Sequence, residues 1–324
     1  MKHCFNFFMP ILVCGLMLCS CEQERKTWYV PGEEDDDISL EEWAPKVPIM
    51  YYGDAFGENP NGRPLYPWWG EHMVILSYNN TDFEPAVMKR WVDTIDFVFE
   101  FYYKCTRRMP GISDVTFIDG RISIAATDGL PAAAVAGVGY TGIWMNTDYF
   151  YGAYNSYRVG GEENLSPYEM GRNFWFFGDK IATDHEGEPE CTGYSIFTRM
   201  ICNELLGVNP GNDPIIGLFD EYMASGKTWE NTIGNNEGIS ANACDLFASF
   251  LYELQSRYGG ADWVIKFWNR VSECPSTADK YVAVDNIIVA ASQAAGKDLC
   301  SVFEEWRWPV SNSARTRIQS LGLI

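Results

Sequence analysis

Glu169 is the acidic residue whose neighbours give it chemical interest. It lies in Ser166–Phe177, SPYEMGRNFWFF, directly after Tyr168 and three residues before Arg172. On a helix Tyr168 and Arg172 stand four residues apart and share one face. A carboxylate held there can act as a general acid or base. Tyr168 is a weak metal ligand, and Arg172 is a permanent cation with no lone pair to give a metal. Charge pairing with Arg172 predicts a lowered pKa for Glu169, and the three side chains together predict a polar, carboxylate-binding pocket. A second cluster follows at 184–190, DHEGEPE, with five ionisable groups in seven residues. His185 reaches Glu169 if this segment folds back. The cluster reads as a Ca²⁺-like oxygen site or an acid/base pair, or as a solvated acidic loop. An alternative role for Glu169 is structural. Ser166 at N-cap, Pro167 at N1 and Glu169 at N3 form the pattern of a capping box.

Other chemistries find little support. The chain has 3 His; His72 follows Trp68-Trp69-Gly70-Glu71 and reads as a packed or surface residue. No GxSxG, P-loop or Rossmann glycine pattern occurs, and no CxxC pair suggests a cysteine-rich zinc module. With 24 Lys+Arg against 44 Asp+Glu, a formal charge of −20 argues against nucleic acid as a partner. Aromatic residues crowd the segment before Ser166. Tyr149 and Tyr151 there, and Tyr140 upstream, are candidates to stack on sugars or peptide side chains.

The elements that must position these residues are legible by pattern. Apolar content of 47 % excludes a disordered chain. Met73–Tyr78 is a short β-leaning run. Asp82–Cys105 is a helix, with Val87, Trp91, Ile95, Val98 and Tyr102 on one face. Val115–Ala126 is a hairpin turning at Asp119-Gly120. Gly139–Met145 is a strand, and a loop of about 20 residues leads to the helix Ser166–Phe177. Helices follow at Thr192–Leu206, Asn242–Tyr258, Asp262–Val271, Lys280–Ala295 and Leu299–Trp306, and Trp306–Pro309 reads as a packing anchor. Strands first and helices later predict an α+β fold.

The N-terminus carries separate information. Lys2 and the apolar run Phe5–Leu18 form a signal segment, shorter than the roughly 20 residues of a membrane span. Leu18-Cys19-Ser20-Cys21 resembles the lipobox of bacterial lipoproteins, which makes Cys21 the lipid attachment point. Residues 22–46 carry the acidic run Glu33–Asp37, similar to the surface-export signals of Bacteroidota lipoproteins. The expected organisation is a signal peptide over 1–20, an acidic tether over 21–46 and one domain over 47–324. It places the protein at the outer membrane and cell surface, held by its lipid.

The order strand, loop, helix over residues 139–177 is similar to the zincin metallopeptidases. Tyr168-Glu169-Met170-Gly171-Arg172-Asn173-Phe174 resembles a zincin helix reading HEMGHNF, and the two letters that differ are the two zinc-binding histidines. In that motif two His share a helix face to hold Zn²⁺ and the Glu activates the metal-bound water. The resemblance, to the gluzincins and basic secretory proteins, implies a zincin-like α+β domain, with a small N-terminal sheet and a mainly helical C-terminal half. It implies a substrate cleft beside an edge strand, here Gly139–Met145. It also implies a third ligand on a later helix, at Glu190 or Glu204. With Arg172 at a ligand position, no zinc and no other cofactor is expected. The expected function is a lipid-anchored surface protein that binds a peptide, glycoprotein or glycan, with Arg172, Tyr140, Tyr149, Tyr151 and Glu190 as binding residues. Two alternatives stand beside it. One is a hydrolase with a rebuilt site using Glu169, Tyr168 and His185. The other is a carbohydrate-binding accessory lipoprotein.

Overall fold

A computed structural model describes residues 39–55, 57–183, 188–211 and 213–324. Cys21, the signal segment, the acidic run and residues 184–187, His185 among them, lie outside the described residues. Among those described, no helix is long and apolar enough to cross a membrane.

The packed chain begins upstream of residue 47. Helix α1 (Leu40–Trp43) is started by a capping box between Ser39 and Glu42. Its Trp43 packs on Trp68 and donates its indole N–H to the Trp69 carbonyl at 2.9 Å. Strands β1 (Ile49–Asp54), β2 (Gly57–Trp69) and β3 (Met73–Ser77) then form an antiparallel run. Helix α2 (Pro85–Thr106) opens with proline where a missing N–H costs nothing. It carries the chain over to β4 (Phe117–Ile118) and β5 (Arg121–Thr127), and β5 is parallel to β3. Asp119 and Gly120 turn this hairpin with φ of 47° and 82°, the left-handed geometry the sequence predicts.

Strands β6 (Ala134–Ala136) and β7 (Ile143–Asn146) complete a sheet ordered β1-β2-β3-β5-β7-β6, with β7 parallel to β5 and β6 antiparallel to β7. Every residue of β3 is buried because both sheet faces are covered. Met73 and Ile75 join the main core with Ile122, Ile124 and Met145. Val74 and Leu76 face a smaller cluster with Tyr51, Leu65, Ala125 and Trp144.

Three expectations are corrected. The strand predicted from Gly139 starts at Ile143, because Gly139 and Gly142 take φ of 75° and 109° and break the extended run. That strand is also not the edge: β6, too short to stand out by alternation, pairs with it and takes the edge position. The expected loop before Ser166 is largely helix α3 (Thr147–Arg158), with Asn146 as N-cap. Its aromatic content and Gly152 are poor helix formers. Burial of Phe150, Ala153, Tyr154 and Tyr157 on one face overrides that preference.

Helix α4 (Leu165–Asn173) follows, then α5 (Gly178–Ile181), α6 (Glu188–Leu205), α7 (Leu218–Ser225), α8 (Ala243–Tyr258), α9 (Gly260–Glu273), α10 (Lys280–Ala295), α11 (Cys300–Glu305) and α12 (Asn312–Ser320). The result is an α+β fold with its helical mass in the C-terminal half. Trp306 and Trp308 are buried against Phe250 and Phe303, as the anchor reading expects. The six cysteines from Cys105 to Cys300 are all buried and unpaired.

Candidate functional site around helix α4

Helix α4 is not started by Ser166. The carboxylate of Glu163 accepts the backbone N–H groups of Leu165 at 2.7 Å and Ser166 at 2.9 Å. That satisfies two of the donors a helix start leaves open. The helix therefore begins at Leu165 with Asn164 as N-cap, two residues too early for the Ser166–Glu169 box, and Glu169 has no capping task. Its far end is also earlier than expected. The Asn173 amide donates to the carbonyls of Gly137, Tyr140 and Gly142 at 3.1, 2.6 and 3.1 Å, and Gly139 N–H bonds the Arg172 carbonyl at 2.9 Å. These contacts tie the loop before β7 to the helix end; residues 175–177 leave the helix, and Trp175 and Phe177 are buried in the core.

Tyr168 and Arg172 share a face, as their spacing requires. Instead of converging on a third body they bond each other: Arg172 Nη2 donates to Tyr168 Oη at 2.8 Å and to Thr192 Oγ1 of α6 at 2.9 Å. The guanidinium thus bridges α4 and α6. Gly171 lets the helices come this close, because a Cβ there would lie 2.6 Å from Ser195 Oγ and 2.8 Å from Ser195 Cα.

Glu169 is 7 % exposed. Burial pushes its pKa up and Arg172 pulls it down; burial prevails, and the carboxyl stands at about 7. The expected lowering by Arg172 is therefore reversed, because desolvation of the carboxylate outweighs one neighbouring charge. Cys191, beside Arg172, is likewise pushed up to about 11 by burial, which keeps it a thiol near neutral pH.

The remaining candidates separate. Tyr149, 55 % exposed, shares with Tyr168 a cavity of about 490 Å³ between α3, the turn 162–165 and α6. Glu169 and Arg172 do not contribute to that wall. Tyr140 is 61 % exposed on the loop that Asn173 clamps. Tyr151 is engaged elsewhere, stacked on Phe83 with its hydroxyl donating to Asp82 Oδ2 at 2.9 Å. Glu190 is fully buried and accepts the Thr183 hydroxyl, so it is withdrawn from any cleft. Glu204 accepts the Tyr252 hydroxyl. Glu162 and Arg199, which line the cavity, and Thr192, which holds Arg172, have no sequence signal. They belong to separate segments that only folding brings to Tyr168.

A zinc ion needs about four N, S or O donors. Among the described residues no group of three or more His, Cys, Asp and Glu is arranged to hold a metal. At the two helix positions where the zincin resemblance expects ligands stand a phenol and a guanidinium already bonded to each other. These residues do not fit zinc.

Neither a protein-family model nor a curated protein matches this sequence. Solved structures match it in fold. A functionally unknown conserved protein from Bacillus anthracis str. Ames superposes with a TM-score of 0.56 at 14 % identity, over 91 % of this chain and 56 % of that one. A metallopeptidase from Bacteroides thetaiotaomicron gives 0.52 at 12 % identity, over 80 % and 46 %. A metallopeptidase in complex with Tn antigen gives 0.51 at 13 % identity, over 80 % and 51 %. The chain spans about half the length of these proteins. At such identities the likeness is one of fold, and the chain has a zincin-like α+β fold shared with these metallopeptidases.

Proposed function

We propose that this protein is a lipid-anchored cell-surface binding protein whose metallopeptidase-like domain has lost its zinc site. In this reading it takes a peptide or glycoprotein ligand in the cavity beside α4. The carrying observation is Arg172: a fixed cation four residues after Tyr168, hydrogen-bonded to Tyr168 and Thr192 where a metal ligand would stand. A cation there opposes Zn²⁺ by charge as well as by lacking a lone pair. The cavity supports binding, since 490 Å³ falls in the range of small-ligand sites and exposed Tyr149 offers a flat ring. The solved metallopeptidase holding Tn antigen supports the glycoprotein class by analogy of fold. Anchoring rests on Cys21 and the acidic run behind it.

Two measurements on the purified protein test this. Elemental analysis should find no stoichiometric zinc; one tightly held zinc per chain would sink the reading. Peptide and glycopeptide arrays should give binding that Tyr149→Ala weakens, and uniform silence on both would count against a binding role. A hydrolase with a rebuilt site has one specific observation in its favour, the Glu169 pKa of about 7, which suits proton transfer near neutrality. It requires a metal-independent hydrolytic activity that Glu169→Gln removes.

A further inference from the structure

A second cavity, of about 600 Å³, lies away from α4. It is formed by the Gly70–His72 turn before β3, by Arg121 at the start of β5 and by α2. Since β3, β5 and β7 are parallel, this is the opposite end of the strands from Tyr149, which follows the C-terminal end of β7.

The wall is held by hydrogen bonds between α2 and the turn. Asp96 of α2 accepts the backbone N–H groups of Glu71, His72 and Met73 at 2.6, 3.0 and 2.9 Å. Gly70 is required beside it, because a Cβ there would come 2.3 Å from Asp96 Oδ2. Arg121 donates to the Gly70 carbonyl and lies 5.5 Å from the Trp69 ring centre. Around this turn, polar groups are held in pairs: His72 Nε2 lies 2.7 Å from Glu100 Oε1, and Lys89 Nζ bonds both Asp93 oxygens at 2.7 and 2.9 Å. Trp43 and Trp69 add indole surface.

This composition selects a ligand class. Lys89, Lys104 and Arg121 stand against Glu71, Asp93, Asp96 and Glu100, with His72 between them. A wall so near charge balance has little net field to draw an ion. What it offers, at Lys89, Glu71 and Glu100, is fixed donors and acceptors, since a carboxylate has about four acceptor sites and an ammonium three donors. Indole lies beside them. A ligand with hydroxyls that donate and accept on its rim, and an apolar C–H face, matches both features. The volume lies within the range of about 300–1,000 Å³ for small-ligand sites.

We propose that this cavity is a binding site for a neutral carbohydrate unit, separate from the α4 cavity and independent of whether zinc binds there. The test is saturation-transfer NMR and titration calorimetry on the purified protein, with methyl glycosides of neutral hexoses and N-acetylhexosamines as probes. At least one should bind, and Glu100→Ala and Trp69→Leu should each weaken it by roughly tenfold or more, as expected for loss of one good contact. Circular dichroism checks the fold of both variants; if Trp69→Leu unfolds, Glu100→Ala decides alone. Absence of binding by every neutral glycoside overturns the proposal, as does binding that Glu100→Ala leaves unchanged. Binding that Tyr149→Ala abolishes and Glu100→Ala retains would place the sugar beside α4, and also overturns it.

Discussion

Replacing Glu169 by glutamine should stabilise the protein at alkaline pH and leave it nearly unchanged in acid. The side chain is 7 % exposed, and burial raises its pKa from the ordinary 4.5 to about 7, against the pull of Arg172. A carboxyl whose folded pKa lies above its unfolded value holds its proton more tightly in the native state. Its contribution is complete below about pH 4.5 and is lost as pH rises through about 7. One pKa unit is worth about 1.4 kcal/mol, so ionising this group in place costs on the order of 3 kcal/mol. Glutamine matches the neutral acid in shape and never ionises. Urea unfolding followed by circular dichroism at pH 4, 6 and 8 should show the variant close to the parent at the lowest pH and about 3 kcal/mol more stable at the highest. Other buried acids, such as Glu163 and Asp96, are also pushed up, but they are common to both proteins and cancel in the difference. A constant difference across the three pH values, or a variant less stable at pH 8, would refute the reasoning.

Two further perturbations beside Glu169 and one of the buried thiols have expected outcomes. Arg172→Ala removes the bonds to Tyr168 and Thr192; it should cost about 1–3 kcal/mol and move the Glu169 titration upward, readable by carboxyl NMR. Gly171→Ala should destabilise despite alanine's better helix propensity. Its Cβ would meet the Ser195 backbone at 2.8 Å, and overpacking of this kind costs about 1–3 kcal/mol in a thermal melt. The six described cysteines are buried and unpaired; they should resist a thiol reagent in the native protein and all react after unfolding, and fast native labelling would contradict their placement.

How legible each part was depends on the range of the interactions that made it. Helix α2 and the Asp119-Gly120 turn follow from local pattern; the turn forms where the pattern puts it, and the helix starts at Pro85 rather than Asp82 because proline takes N1. Strand β6 has three residues, too few to alternate visibly, and exists because β7 offers it a partner. Local pattern puts the start of α4 at Ser166, since Ser166, Pro167 and Glu169 fit a capping rule, but Glu163 accepts the N–H groups of Leu165 and Ser166 and starts the helix earlier. Glu190 looked available in sequence, but folding buries it against Thr183.

Sequence alone determined what cannot be changed by folding: a tyrosine and an arginine, not two histidines, stand four residues apart around Glu169. The identity of an atom and its capacity to ligate are set by chemistry. It also determined the helical spacing that puts both on one face. Tertiary structure decided what those residues do together. The approach of α6 across Gly171 gave Arg172 its second acceptor, and the surrounding core set the Glu169 pKa above its ordinary value. Desolvation depends on every neighbour that excludes water, and those neighbours come from segments far apart in the chain.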